Sequence, residues 1–129
     1  SEQYVPTLHW CRGHYFSYGG NNPFKHLIYP VPDSNGAGLG IHATIDLGGQ
    51  LKFGPDVEYI QEIQYGVSAN LKPTFVQSIQ RYFPELKADK LHSAYSGIRP
   101  KLQGPGETVE DFSISAQLVM YALKGARHF

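Results

Sequence analysis

The residue best placed for chemistry in this chain is an arginine set between a glycine and a proline, in Gly97-Ile98-Arg99-Pro100-Lys101-Leu102. Pro100 fixes its own φ and pushes Arg99 toward extended backbone, while Gly97 admits close approach from above. A guanidinium stays charged at any working pH and can grip a carboxylate through two parallel hydrogen bonds, so a stiffly held Arg99 suits a carboxylic-acid ligand. Most arginines near a proline are surface or salt-bridge residues, and that is the competing reading on spacing alone. His42, in Ile41-His42-Ala43-Thr44, falls on the polar side of an alternating run. A neutral imidazole there accepts a proton from a nearby hydroxyl, and a histidine hydrogen-bonded inside a sheet is the competing reading.

Other groups point away from metals and phosphates. His9 and His14 are five apart, and His26, His42, His92 and His128 are scattered, with no cysteine pair or carboxylate at ligand spacing, so no metal site is expected. The glycine cluster Gly36-Ala37-Gly38-Leu39-Gly40 follows a turn and precedes a strand pattern. A dinucleotide fingerprint needs strand, glycine turn and helix in that order, so these glycines are read as a tight turn with close backbone packing. Cys11 is the single cysteine, which forbids an internal disulfide and leaves a small buried hydrophobe as the default reading.

The 11 basic and 11 acidic side chains cancel, and no block of like charge runs along the chain. Nothing therefore draws it to nucleic acid or to an anionic membrane surface. No stretch of about 18 apolar residues and no charged-then-apolar leader is present, so neither a membrane span nor a signal peptide is expected. The cytoplasm is the default compartment, which the sequence does not decide. A chain of 129 residues buries roughly two-thirds of the area it exposes when unfolded, enough for one small core.

The elements that must position these groups come in two halves. Trp10 to Tyr18, Leu27 to Val31 and Leu39 to Leu47 read as strands, separated by Gly19-Gly20-Asn21-Asn22-Pro23 and Pro32-Asp33-Ser34-Asn35-Gly36. Gly48-Gly49 predicts a tight hairpin into Leu51-Lys52-Phe53, and neighbouring strands are expected to pair antiparallel in sequence order. Leu71, Phe75, Ile79 and Phe83 repeat at helical spacing, with Pro73 in the first turn and Pro84 as a stop, which predicts a helix over Pro73 to Tyr82. Glu58 to Gln64 is read as a possible helical turn, Lys90 to Arg99 as a strand, and Asp111 to Ile114 as a last short strand. The expected fold is α+β, a largely antiparallel sheet with one or two helices on one face.

Several segments together resemble a known family. They are Tyr15-Phe16-Ser17, Leu27-Ile28-Tyr29-Pro30-Val31-Pro32, Gly38 to Thr44 with Asp46 to Gly49, Lys52 to Glu58, and Gly97 to Leu102 with Gly104 to Glu107 and Asp111-Phe112. In that order, over roughly Cys11 to Ile114, they resemble the L-2-hydroxyglutarate dehydrogenase branch of the FAD-dependent oxidoreductases related to D-amino-acid oxidase. The resemblance implies a substrate-binding domain over residues 1–114, without the dinucleotide-binding βαβ unit of the family. Residues 115–129 depart from the family, and Leu118, Val119, Tyr121, Ala122 and Leu123 suit a helix there.

The resemblance further implies FAD as cofactor of a longer parent, with this chain alone not expected to hold it. It implies a small 2-hydroxy acid as substrate, Arg99 as its carboxylate clamp, and His42 as the base that takes the hydroxyl proton as hydride leaves for the flavin. Tyr29 and Tyr95 sit in matching motifs and would orient the substrate, and Lys101 would add a second cation for a dicarboxylic acid. The expected partner is the missing FAD domain or a second copy of the chain. The alternative is a catalytically inactive fragment that acts as a self-associating or interaction domain.

Overall fold

The computed structural model describes residues 6–31 and 40–108. Five strands form one antiparallel sheet: β1 (His9–Tyr18), β2 (His42–Ile45), β3 (Leu51–Gly54), β4 (Glu58–Ile60) and β5 (Leu91–Lys101). One helix, α1 (Lys72–Gln80), follows a 3-10 turn at Ala69–Leu71. The α+β reading therefore holds, with the helix starting one residue before the expected Pro73 and ending two residues before the expected Tyr82.

Pairing departs from simple sequence order. β2 and β3 do form the expected hairpin, closed where Gly49 donates to the Asp46 carbonyl at 2.9 Å. Gly49 takes φ of 83° there, a conformation that costs a glycine little. The long β1 is central. Along one edge it pairs with β5 over ten residue pairs, His9↔Lys101 to Tyr18↔Leu91. Its other edge is shared, Phe16 and Ser17 facing β3 and Trp10 to Arg12 facing β4.

Two expectations are corrected. Glu58 to Gln64 is not helical, because Glu58–Ile60 joins the β1 edge as β4 and satisfies its backbone there. Leu27 to Val31 makes a single bridge, Ile28↔Ala43, in place of a strand. Asp111 to Ile114, the 115–129 tail and Gly36 to Leu39 of the glycine cluster lie outside the described residues.

Alternation gives the sheet two unlike faces. The inner face carries Phe16, Tyr18, Ala43, Leu51, Phe53 and Leu91, which pack with Phe75, Ile79, Phe83 and Leu86 into the core. Phe16 and Phe75 stand 4.4 Å apart between ring centroids, so α1 lies on the sheet through large apolar surfaces. Tyr82 donates to the Ile41 carbonyl at 2.8 Å, and burial pushes its hydroxyl far above the usual phenol range. Among the described residues no helix is long and apolar enough to cross a membrane.

Candidate functional site

The register of β1 with β5 decides which side chains share the outer face. Tyr15↔Tyr95, Gly13↔Gly97, Cys11↔Arg99 and His9↔Lys101 are directly opposed, and all eight residues have the parity opposite to the core residue Phe16. The hairpin adds Lys52, opposed to Ser17, and through Lys52 and Gly54 it adds Thr44 and His42. Arg99, Tyr95, Lys101 and His42 therefore stand on one face, away from α1. The pleat puts all four on one face, though not all within reach of one another.

Within that face the residues form two groups. Tyr95, 48% exposed, stacks on Tyr15 with centroids 4.7 Å apart, and the Lys52 ammonium sits over the Tyr95 ring at 5.4 Å. Partial burial pushes the Tyr15 hydroxyl up, the nearby Tyr95 adds to that, and the positive charge of Arg99 opposes it. Arg99 is exposed beyond the Gly13↔Gly97 pair, where a Cβ on Gly97 would meet nothing within 4 Å. Lys101 leans over the Tyr59 ring at 5.9 Å. Cys11, opposite Arg99, is buried as expected.

The second group lies at the hairpin edge. His42 is 8% exposed and packs against the ring of Tyr29 at 4.2 Å between centroids, while Tyr29 itself is 60% exposed. The sheet does not bring His42 and Arg99 together. Three strand spacings, roughly 14 Å, separate them across the sheet, and about four residues, roughly 13 Å, along it. Sequence reasoning missed Tyr15 and Lys52, whose parity with Arg99 follows only once β1 is known to be central.

A polar cluster interrupts the inner face at the other end of β1. His14 is 1% exposed, and its backbone N–H and Nδ1 both meet Oδ1 of Asp56, at 2.7 and 2.8 Å. The Asp56 carboxylate thus replaces a ladder carbonyl where the β1 edge passes from β3 to β4. Gly54 makes this turn possible: its φ is 147°, and a Cβ there would lie 2.5 Å from the His14 carbonyl oxygen. Arg12 donates to Oε2 of Glu58 from Nε at 3.1 Å and Nη2 at 2.7 Å, and from Nη1 to the Gln64 carbonyl at 2.8 Å.

No phosphate cradle is built among the described residues. A 3-10 turn, with no glycine in it, leads into α1, and Pro73 removes a backbone N–H from its first turn. No group of three or more histidine, cysteine or carboxylate side chains able to hold a metal occurs among the described residues.

Comparison with known proteins fits this geometry. Residues 2–124 match the family described as FAD dependent oxidoreductase. The chain is 41% identical over 127 residues to a protein of Arabidopsis thaliana named L-2-hydroxyglutarate dehydrogenase, mitochondrial. That alignment takes in 89% of this chain and 26% of the relative, so the chain spans about a quarter of the relative's length. The family match, over residues 2–124, spans all five strands. The chain belongs to the FAD-dependent oxidoreductase family.

Proposed function

We propose that this chain is the substrate-binding part of an FAD-dependent 2-hydroxy-acid dehydrogenase or oxidase, acting on a dicarboxylic substrate similar to L-2-hydroxyglutarate. The observation that carries the reading is the shared outer face, on which Arg99, Lys101, Tyr15, Tyr95 and His42 stand clear of the core. Arg99 binds one carboxylate bidentately, and Lys101, two residues along the same face, adds positive charge beside it. The Tyr15 and Tyr95 hydroxyls donate to substrate oxygens over the open strip at Gly97.

The separation of His42 from Arg99, roughly 19 Å between strand positions, exceeds the length of any five-carbon acid, so one substrate does not touch both. Held at one end by Arg99, a five-carbon dicarboxylic acid takes its second carboxylate toward Lys101 on the same face, and the proton-accepting role of His42 is not reached from that position. When bound in the longer protein, FAD supplies the two-electron oxidant, and the described residues here do not fit its pyrophosphate end.

The test is anaerobic mixing of the full-length enzyme with L-2-hydroxyglutarate and with 2-hydroxybutyrate, following loss of the oxidised flavin's absorbance. Rapid bleaching by the dicarboxylate and slow bleaching by the monocarboxylate is expected; equal rates for the two would remove the two-ended reading. A second reading, a non-catalytic chain that self-associates, rests on the exposure of Tyr29 and Tyr95 on the same face. Sedimentation of the purified 129-residue chain as a clean monomer would count against it.

A further inference from the structure

On the outer face, among the described residues, neither Arg99 nor Lys101 makes an ion pair, whereas Arg12 and Lys52 are tied to Glu58 and Asp46. Two cations thus stand two residues apart on one strand and one face. β4 adds one more side chain to that end. Tyr59 pairs with Cys11, and Cys11 pairs with Arg99, so a single row across three strands reads Tyr59, Cys11, Arg99. The next row along β5 is His9↔Lys101.

The Lys101 ammonium stands 5.9 Å from the centre of the Tyr59 ring. Lys101 belongs to β5 and Tyr59 to β4, with β1 between, so two strand spacings, roughly 10 Å, separate their backbones. To make the contact the lysine stem lies across β1, and Cys11 in that place is only 5% exposed although Arg99 opposite it is exposed. A lysine stem has many rotamers, and the negative face of the ring favours those that carry the charge toward β4. The Arg99 charge acts in the other direction, on the Tyr15 hydroxyl. The ring therefore draws apart two like charges that would otherwise crowd one another, and leaves each open to one carboxylate.

We infer that Tyr59 is a positioning residue that sets the preference for a dicarboxylic acid: its ring fixes the Lys101 ammonium where the second carboxylate meets it while the first is on Arg99. The inference rests on the substrate reading given above and names the residue that spaces its two charges. Tyr59 acts through Lys101 alone, so an acid with one carboxylate gains nothing from it. The ring face carries the role, and the Tyr59 hydroxyl does not share it.

Steady-state kinetics of the flavin-loaded full-length enzyme with L-2-hydroxyglutarate and 2-hydroxybutyrate test this in Tyr59→Leu, Tyr59→Phe and Lys101→Met. Tyr59→Leu should raise KM for the dicarboxylate relative to the monocarboxylate by roughly two- to fivefold, the size of a cation–π contact, with kcat moving less. Tyr59→Phe keeps a ring face and should keep the parent's preference. Lys101→Met should cost about tenfold or more of that preference. A second readout needs no turnover: in the 129-residue chain the Lys101 ε-methylene protons should carry an upfield ring-current shift, lost in Tyr59→Leu and kept in Tyr59→Phe. The role of Tyr59 is overturned by ordinary lysine shifts in the parent chain, by an unchanged preference in Tyr59→Leu, or by a Tyr59→Leu loss that falls equally on both acids. An unchanged preference in Lys101→Met instead removes the two-ended substrate reading itself, and this inference with it.

Discussion

Tyr15 and Tyr95 oppose each other across the β1–β5 ladder and stack with centroids 4.7 Å apart and planes inclined by 19°. The next pair on that face is Gly13↔Gly97, and the next is Cys11↔Arg99. An aromatic step, a strip with no side chain on β5 and a guanidinium thus follow one another along β5. In the proposed function the acid lies on this strip, between Arg99 and the Tyr15–Tyr95 stack.

Arg99 is expected to act through its planar fork. In the full-length enzyme, Arg99→Lys keeps the charge but loses the bidentate geometry, and kcat/KM should fall at least about tenfold. Arg99→Ala should fall further, to roughly a hundredfold or more, since a charge-assisted bond is worth about 1.5–3 kcal/mol and a misplaced substrate loses orientation too. Steady-state kinetics on flavin-loaded variants decide it. A folded Arg99→Ala enzyme with near-normal kcat/KM would leave Arg99 a surface residue.

The 129-residue chain by itself should bind FAD weakly. The described residues offer no glycine turn into a helix N-terminus, so the pyrophosphate would meet no row of unpaired N–H groups. Fluorescence titration with FAD should show no saturation at micromolar concentrations. Tight binding would mean that the outer face alone recognises the isoalloxazine ring.

Local patterns carried far in this chain, and long-range geometry did not. The period of Leu71, Phe75 and Ile79 announced α1, and the Gly48-Gly49 pair announced the β2–β3 hairpin, because both signals are contained within a few residues. The central place of β1 depends on contacts at least 35 residues away in sequence, which no local pattern encodes. Glu58–Ile60 shows why: as an isolated segment it has no strong preference, and the free edge of β1 decides its state. The same gap hid Tyr15 from the candidate site and hid Asp56 as the partner of His14.

Removing the Asp56 carboxylate should destabilise the fold. His14 is almost fully buried, and both its backbone N–H and its ring N–H donate to Asp56. Asp56→Ala strands these donors, at about 1–3 kcal/mol each, and should lower unfolding free energy by roughly 2–5 kcal/mol. Asp56→Asn keeps a carbonyl oxygen in place and should cost less. Urea unfolding followed by tryptophan fluorescence ranks the variants; an Asp56→Ala chain as stable as the parent would show that water replaces the carboxylate freely.

Asp46 sets an acid limit on the β2–β3 hairpin. Its carboxylate is held below the ordinary aspartate value of 3.8 chiefly by the Gln50 N–H, and then by the Lys52 ammonium 3.0 Å away. Because the folded value is depressed, the stabilisation is present above the unfolded value and is lost as pH falls through the folded one. The hairpin should therefore be insensitive above about pH 5 and loosen only in strong acid. An NMR titration should place the Asp46 midpoint below 3.8, with the Gly48 and Gln50 amide shifts following the same curve. Lys52→Met should raise that midpoint only in part, since the backbone donor remains and the exposed ion pair is the part that salt screens. A midpoint that returns fully to the ordinary value in Lys52→Met would assign the depression to charge and leave the turn's hydrogen bonds without effect.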